Sequence, residues 1–100
     1  MKSKLVRDKI PEIIKRDGKI PLTHFADNKE FSGMLNKKLQ EEVEEFIKNT
    51  SIEKMSDIFE VITAINNFRK WSLEDITAIQ KKKREKRGEF RRRVILDGIE

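Results

Sequence analysis

Residues 27–49 read DNKEFSGMLNKKLQEEVEEFIKN, and the pattern of this stretch decides the fold. Asp27 and Glu30 have the spacing of a capping box, which opens a helix. Apolar side chains then recur every three or four residues, so they share one face of that helix. They are Leu35, Leu39, Val43 and Phe46. The stretch therefore predicts an amphipathic helix that runs to about Asn49.

Outward from this helix, the same signals predict three more. Pro11 can start a short helix near the N-terminus, and Gly18 can end it. Ser51 can cap a helix from Ile52 to about Lys70. A second capping box, formed by Ser72 and Asp75, opens a helix from Leu73 to about Arg87, with Gly88 as its stop.

The fold class predicted from these elements is all-α, an antiparallel helical bundle in one domain of residues 1–100. Very short turns between long helices imply antiparallel neighbours. The apolar arc of residues 52–68 is wider than one neighbouring helix covers. We therefore expect a homodimer or a dimer of dimers that completes the bundle, with the 52–70 helix near the interface. The segment FRRRVIL is expected to be an extended tail that packs Val94 and Leu96 on the bundle.

The composition narrows the class of protein. The chain has 100 residues, no cysteine, 41% charged residues and 36% hydrophobic residues. Disulfides and thiolate metal sites are therefore excluded. The N-terminus lacks the apolar run of a signal peptide, and no stretch approaches the length of a membrane span. We expect a cytoplasmic protein with no membrane partner.

Four glutamates are crowded into the segment QEEVEEF, where like charges at helical spacing repel each other. On a helical wheel, Glu42 falls inside the apolar stripe, and Glu41 and Glu45 line one flank of it. Glu44 points to the opposite, solvent side. On the following helix, Asp57 lies at the edge of the apolar arc. An antiparallel hairpin could bring Asp57 near the three inward or flanking glutamates.

A carboxylate cluster across two helices suits a hard cation, because Mg²⁺ and Mn²⁺ prefer oxygen ligands. Mg²⁺ usually completes its shell with water and with phosphate oxygens of a substrate. The alternative is an ordinary glutamate-rich helix whose carboxylates are solvated. Both remain open at this point, although the inward position of Glu42 favours the metal, since an unpaired buried carboxylate is very costly.

Four blocks in register resemble the all-α NTP pyrophosphohydrolase superfamily, in its MazG-like and phosphoribosyl-ATP-pyrophosphohydrolase-like branch. They are KLVRDKIPEII, KLQEEVEEF, MSDIFEVITAI and KKKREKRGEF. The resemblance covers nearly the whole chain. It implies a helical bundle, usually dimeric, and Mg²⁺-dependent cleavage of a nucleoside triphosphate to the monophosphate and pyrophosphate, with Mn²⁺ as a possible substitute.

The family's metal motif is Glu-Glu-x-x-Glu followed, after a gap, by Glu-x-x-Asp. By this resemblance the metal ligands are Glu41, Glu42, Glu45 and Asp57, and the catalytic residues are Glu42 and Glu45. Lys54 stands where the family carries a further glutamate. We expect its ammonium either to pair with Glu42 or Asp57, weakening metal binding, or to extend outward into solvent.

Residues 81–93, KKKREKRGEFRRR, carry nine basic and two acidic residues, and such a segment favours phosphate-bearing partners. The resemblance implies phosphate contacts by Lys83, Arg84 and Arg87, and by Arg7 and Lys9 near the N-terminus. The alternatives are a solvated basic helix end that complements the helix dipole, and an N-terminal group, Arg7, Asp8 and Lys9, whose side chains pair with each other and anchor the arm.

Three functions remain open from the sequence. The favoured one is a Mg²⁺-dependent nucleotide pyrophosphohydrolase. The second is a catalytically impaired family member that binds nucleotides or proteins. The third is a nucleic-acid-binding module that uses residues 81–93. Phe90 is the only aromatic residue in that segment, so base stacking has little support and a nucleic-acid partner is the least favoured.

Overall fold

The computed structural model describes residues 2–100 and contains four helices within them. These are α1 (Ile10–Arg16), α2 (Asn28–Lys48), α3 (Ile52–Arg69) and α4 (Leu73–Arg87). The described residues form no strand. The prediction of an all-α protein is therefore confirmed. No helix of the described residues is long and apolar enough to cross a membrane.

Contacts along the chain divide it into two compact units, one ending at Ile65 and the other running from Asn66 to Glu100. The first unit holds the N-terminal arm, which we define as residues 2–9, together with α1, α2 and most of α3. Leu35 on α2 and Val61 on α3 are its buried apolar side chains, at 2% and 7% exposure. The second unit holds the end of α3, the whole of α4 and the C-terminal tail.

The predicted N-caps of α2 and α4 form as hydrogen bonds. The Glu30 amide donates to Oδ1 of Asp27 at 2.8 Å, and the Asp75 amide donates to Oγ of Ser72 at 3.1 Å. Each bond satisfies an amide that the first turn of a helix leaves without a partner. The carboxylate of Glu30 does not complete the capping box by bonding to the Asp27 amide; it lies 2.9 Å from Nε2 of His24.

The residues that follow the C-terminal ends of α3 and α4 have backbone angles in the left-handed or glycine-only regions. Gly88 ends α4 with φ 87° and ψ −178°, a region open essentially to glycine alone. Lys70 ends α3 with φ 60°, and the Trp71 amide donates back to the Asn66 carbonyl at 2.9 Å. This bond satisfies a carbonyl at the helix end and stops the helix before Trp71.

The prediction for the C-terminal tail is wrong. Val94 and Leu96 are 75% and 76% exposed and are not packed against the helices. Residues after Arg93 form neither helix nor strand, so no regular period places their apolar side chains on one shared face.

Candidate functional site

The candidate site is built on the adjoining ends of α2 and α3, where the sequence resemblance places its metal ligands. Glu41, Glu42 and Glu45 lie on α2, and Asp57 lies on α3. We call these four side chains the motif carboxylates. Glu42 is the most buried, at 13% side-chain exposure, against 43% for Glu41 and 47% for Glu45. Glu44 is exposed. The inward direction predicted for Glu42 on the helical wheel is therefore confirmed.

Lys38 neutralises the two neighbouring glutamates from within the same helix. Its Nζ lies 3.3 Å from Oε1 of Glu41 and 3.4 Å from Oε1 of Glu42. These spacings of three and four residues bring side chains together on one helix face. Lys38 is only 19% exposed, so its charge acts on Glu42 with less screening than a surface lysine would provide.

The other two motif carboxylates are held by cations from different elements. Nζ of Lys54 on α3 lies 3.6 Å from Oε2 of Glu45 on α2. Nη2 of Arg7 in the N-terminal arm lies 2.9 Å from Oδ1 of Asp57 on α3. The sequence predicted Glu42 or Asp57 as partners of Lys54, and the structure places Glu45 there. Arg7 anchors the arm, although its partner is Asp57 and not its neighbour Asp8.

These ion pairs explain how the crowded glutamates are tolerated in the isolated chain. Each motif carboxylate has a cation within 3.6 Å, so its repulsion with the next carboxylate is offset. Three cations, from Lys38, Lys54 and Arg7, face four carboxylates. The region therefore retains about one unit of uncompensated negative charge.

Two criteria decide whether a metal ion fits this region: the chemistry of the donor atoms and their placement. Four carboxylates are the oxygen donors that Mg²⁺ prefers. Within residues 2–100, however, no three His, Cys, Asp or Glu side chains are grouped so that they could hold one ion. The donor chemistry therefore suits Mg²⁺, whereas the described placement does not group three of these side chains around one ion. In the described arrangement the carboxylates are paired with cations instead.

The basic residues assigned to phosphate binding fall in both units. Lys83, Arg84 and Arg87 lie on the last turns of α4, and all are exposed. Arg84 also faces Glu89, with 3.9 Å between Nε and Oε1. Lys9 is exposed and forms the N-terminal boundary of α1.

Sequence reasoning missed Lys38 and the lysines of the N-terminal arm. The spacing of Lys38 before Glu41 and Glu42 is a signal for an ion pair, and a search for such spacings would have found it. Lys2 and Lys4 line a cavity beside α2 together with Lys37 and Lys38. No local pattern indicates this, because it depends on where the arm packs.

Comparisons of the chain with protein-family models, with curated proteins and with solved structures found no match.

Proposed function

We propose that this protein is a Mg²⁺-dependent nucleotide pyrophosphohydrolase that releases pyrophosphate from a nucleoside triphosphate. The proposal rests on the resemblance of its four sequence blocks to the all-α NTP pyrophosphohydrolases. The observation that supports it best is the burial of Glu42 among the motif carboxylates at the junction of α2 and α3. A carboxylate at this position on an apolar stripe can bind a cation that reaches the junction of the two helices, and Lys38 is the cation that pairs with it here.

In this proposal Glu41, Glu42, Glu45 and Asp57 hold the ion. A bound Mg²⁺ supplies neutralisation of the phosphate charge and activation of water near neutral pH. Glu42 and Glu45 orient the attacking water and accept its proton, in line with the scissile bond. Phosphoryl transfer requires mainly positioning and charge stabilisation, so no cysteine or histidine nucleophile is needed.

The cations of the site have a second task in the proposal. If the carboxylates held an ion, Lys38, Lys54 and Arg7 would be released from them while staying at the edge of the site. Ammonium and guanidinium groups are strong donors to phosphate oxygens. The side chains that neutralise the empty carboxylates thereby become counter-charges for the substrate.

The proposed active form is a homodimer or a dimer of dimers. Met55, Phe59 and Ile62 on α3 are 36%, 62% and 38% exposed. Packing of a second copy against this helix would remove these apolar side chains from water.

A screen of nucleotides for pyrophosphate release tests the proposed activity. We expect release from at least one nucleoside triphosphate with Mg²⁺ or Mn²⁺, and none in EDTA. Absence of release from the whole panel with both ions would reject the proposal.

A second function is favoured by one specific observation, the ion pair between Lys54 and Glu45. A lysine in place of a metal-ligand carboxylate would leave a family member that binds nucleotides without cleaving them. Calorimetric binding of a nucleoside triphosphate with no pyrophosphate released would identify this function.

A further inference from the structure

A cavity of about 350 Å³ lies between the N-terminal arm and α2, within the first unit. Its volume falls in the usual range of small-molecule sites. The charged side chains that line it are those of Lys2, Lys4, Lys37, Lys38 and Glu41. Four ammonium groups against one carboxylate give the wall a net charge of about +3.

The arm is attached to the helices at the point where it leaves the cavity. Leu5 of the arm and Met34 of α2 also line the cavity, and both are partly buried. Two residues further on, Arg7 donates to Asp57 at 2.9 Å. This ion pair attaches the arm to α3, and Lys2 and Lys4 of the arm line the same cavity as Lys37 and Lys38 of α2.

We infer that this cavity binds the polyphosphate chain of an anionic ligand, and in the proposed enzyme the triphosphate of its nucleotide substrate. Neighbouring lysines are typical phosphate binders, because each contributes a compact positive charge with three donors. A cavity of about 350 Å³ that is open to solvent on one side matches the size of a short polyphosphate chain. As a substrate subsite, the inference rests on the proposed function.

Lys38 and Glu41 link the cavity to the motif carboxylates. Lys38 lines the cavity and also pairs with Glu41 and Glu42. A phosphate in the cavity attracts the Lys38 ammonium, which weakens its pairing with both glutamates. Polyphosphate binding thereby frees Glu42 for a metal ion, and by reciprocity the metal strengthens polyphosphate binding.

Titration of the full chain with inorganic tripolyphosphate in EDTA tests the cavity without any hydrolysis. The test variant is the double substitution Lys4→Gln with Lys37→Gln, which leaves the motif carboxylates and Lys38 in place. The matched control is Lys29→Gln with Lys48→Gln, which removes the same charge from exposed positions of α2 outside this cavity. Thermal unfolding of each variant checks that the fold is retained.

We expect the wild-type chain and the control to bind tripolyphosphate with similar affinity, and the test variant to bind about tenfold or more weakly, as loss of two charge-assisted contacts implies. Equal weakening in both double variants, or no binding by the wild type, would overturn the inference. Binding of adenosine as tight as that of tripolyphosphate would also overturn it.

The tripolyphosphate titration and the pyrophosphate-release screen can fail independently of each other. Tripolyphosphate binding that depends on Lys4 and Lys37, without release of pyrophosphate from any nucleotide, would support the cavity and reject the enzyme. Pyrophosphate release that the Lys4 and Lys37 substitutions leave unchanged would support the enzyme and reject the cavity as its subsite.

Discussion

Nζ of Lys54 on α3 lies 3.6 Å from Oε2 of Glu45 on α2. By the sequence resemblance, this contact joins the residue that departs from the pyrophosphohydrolase metal motif to a carboxylate that matches the motif. Lys54 therefore contacts the candidate site and does not simply extend into solvent. In the proposed enzyme its ammonium would take part of the charge-balancing role of the metal ion and would compete with that ion for Glu45.

The competition predicts that Lys54→Glu binds Mg²⁺ more tightly and releases pyrophosphate faster than the wild-type chain. Exchange of a cation for a carboxylate adds a ligand and removes a repelling charge. At an effective dielectric of about 20 each contact is worth several kcal/mol before desolvation. The Lys54 side chain is 29% exposed, so we expect a net gain nearer about tenfold in affinity. Calorimetric titration with Mg²⁺ measures it.

Lys48→Glu is the control for Lys54→Glu, because it makes the same charge change at an exposed position in the last turn of α2. It should leave Mg²⁺ affinity nearly unchanged. Equal or weaker Mg²⁺ affinity in Lys54→Glu than in the wild type would show that Lys54 does not compete with Mg²⁺.

The contact between Arg7 and Asp57 predicts how the N-terminal arm is held. Arg7→Gln should speed hydrogen exchange of amides in residues 4–7, since the arm loses its ion pair with α3. The side chains are 58% and 32% exposed, so the global stability should fall by only about 0.2–1 kcal/mol. Hydrogen–deuterium exchange with mass spectrometry measures the first effect. Unchanged exchange in the arm, relative to Arg16→Gln as the matched arginine control, would contradict this anchoring role.

The cap of α2 predicts a loss of stability that is independent of function. Asp27→Ala removes the acceptor of the Glu30 amide, a bond of 2.8 Å. We expect unfolding to become easier by about 1 kcal/mol. Urea denaturation measures this, and Asn36→Ala, at an exposed position inside α2, is the control. A loss of unfolding free energy in Asp27→Ala no larger than that in Asn36→Ala would mean that the cap does not stabilise the protein.

The exposed apolar residues of α3 predict the assembly. Light scattering at micromolar concentration should give a mass of two or four chains of 11.9 kDa. Phe59→Glu places a charge on a 62% exposed aromatic position and should shift the protein toward one chain. Asn67→Glu, at an exposed polar position of the same helix, should not. A monomeric wild-type chain would reject both the dimer and the interface.

The helices could be predicted from the sequence because their signals are local. Asp27 and Ser72 cap the helices they were expected to open, and Gly88 ends α4. The inward position of Glu42 followed from helical periodicity alone, which relates residues a few positions apart.

The partners of Asp57 and Glu45, unlike Lys38, could not be predicted in the same way. Arg7 lies fifty positions before Asp57 in the sequence, and their contact depends on the path of the arm. The contact of Lys54 with Glu45, in place of Glu42, could not be predicted from a helical wheel. A wheel gives the direction of a side chain but not its height along the neighbouring helix. The exposure of Val94 and Leu96 could not be predicted, because apolar character alone does not say whether another element lies beside a side chain.

In the proposed enzyme Glu42, at 13% side-chain exposure, serves a metal-dependent hydrolysis of nucleotides, and paired substitutions probe this role. Glu42→Gln removes a ligand charge and keeps the shape of the side chain, whereas Glu44→Gln makes the same change on the solvent face of the same helix turn. The measurement is Mg²⁺-dependent pyrophosphate release from the best nucleotide of the panel. We expect Glu42→Gln to abolish release with little loss of fold, and Glu44→Gln to behave as the wild type. Similar activity in the two variants would show that Glu42 has no such role.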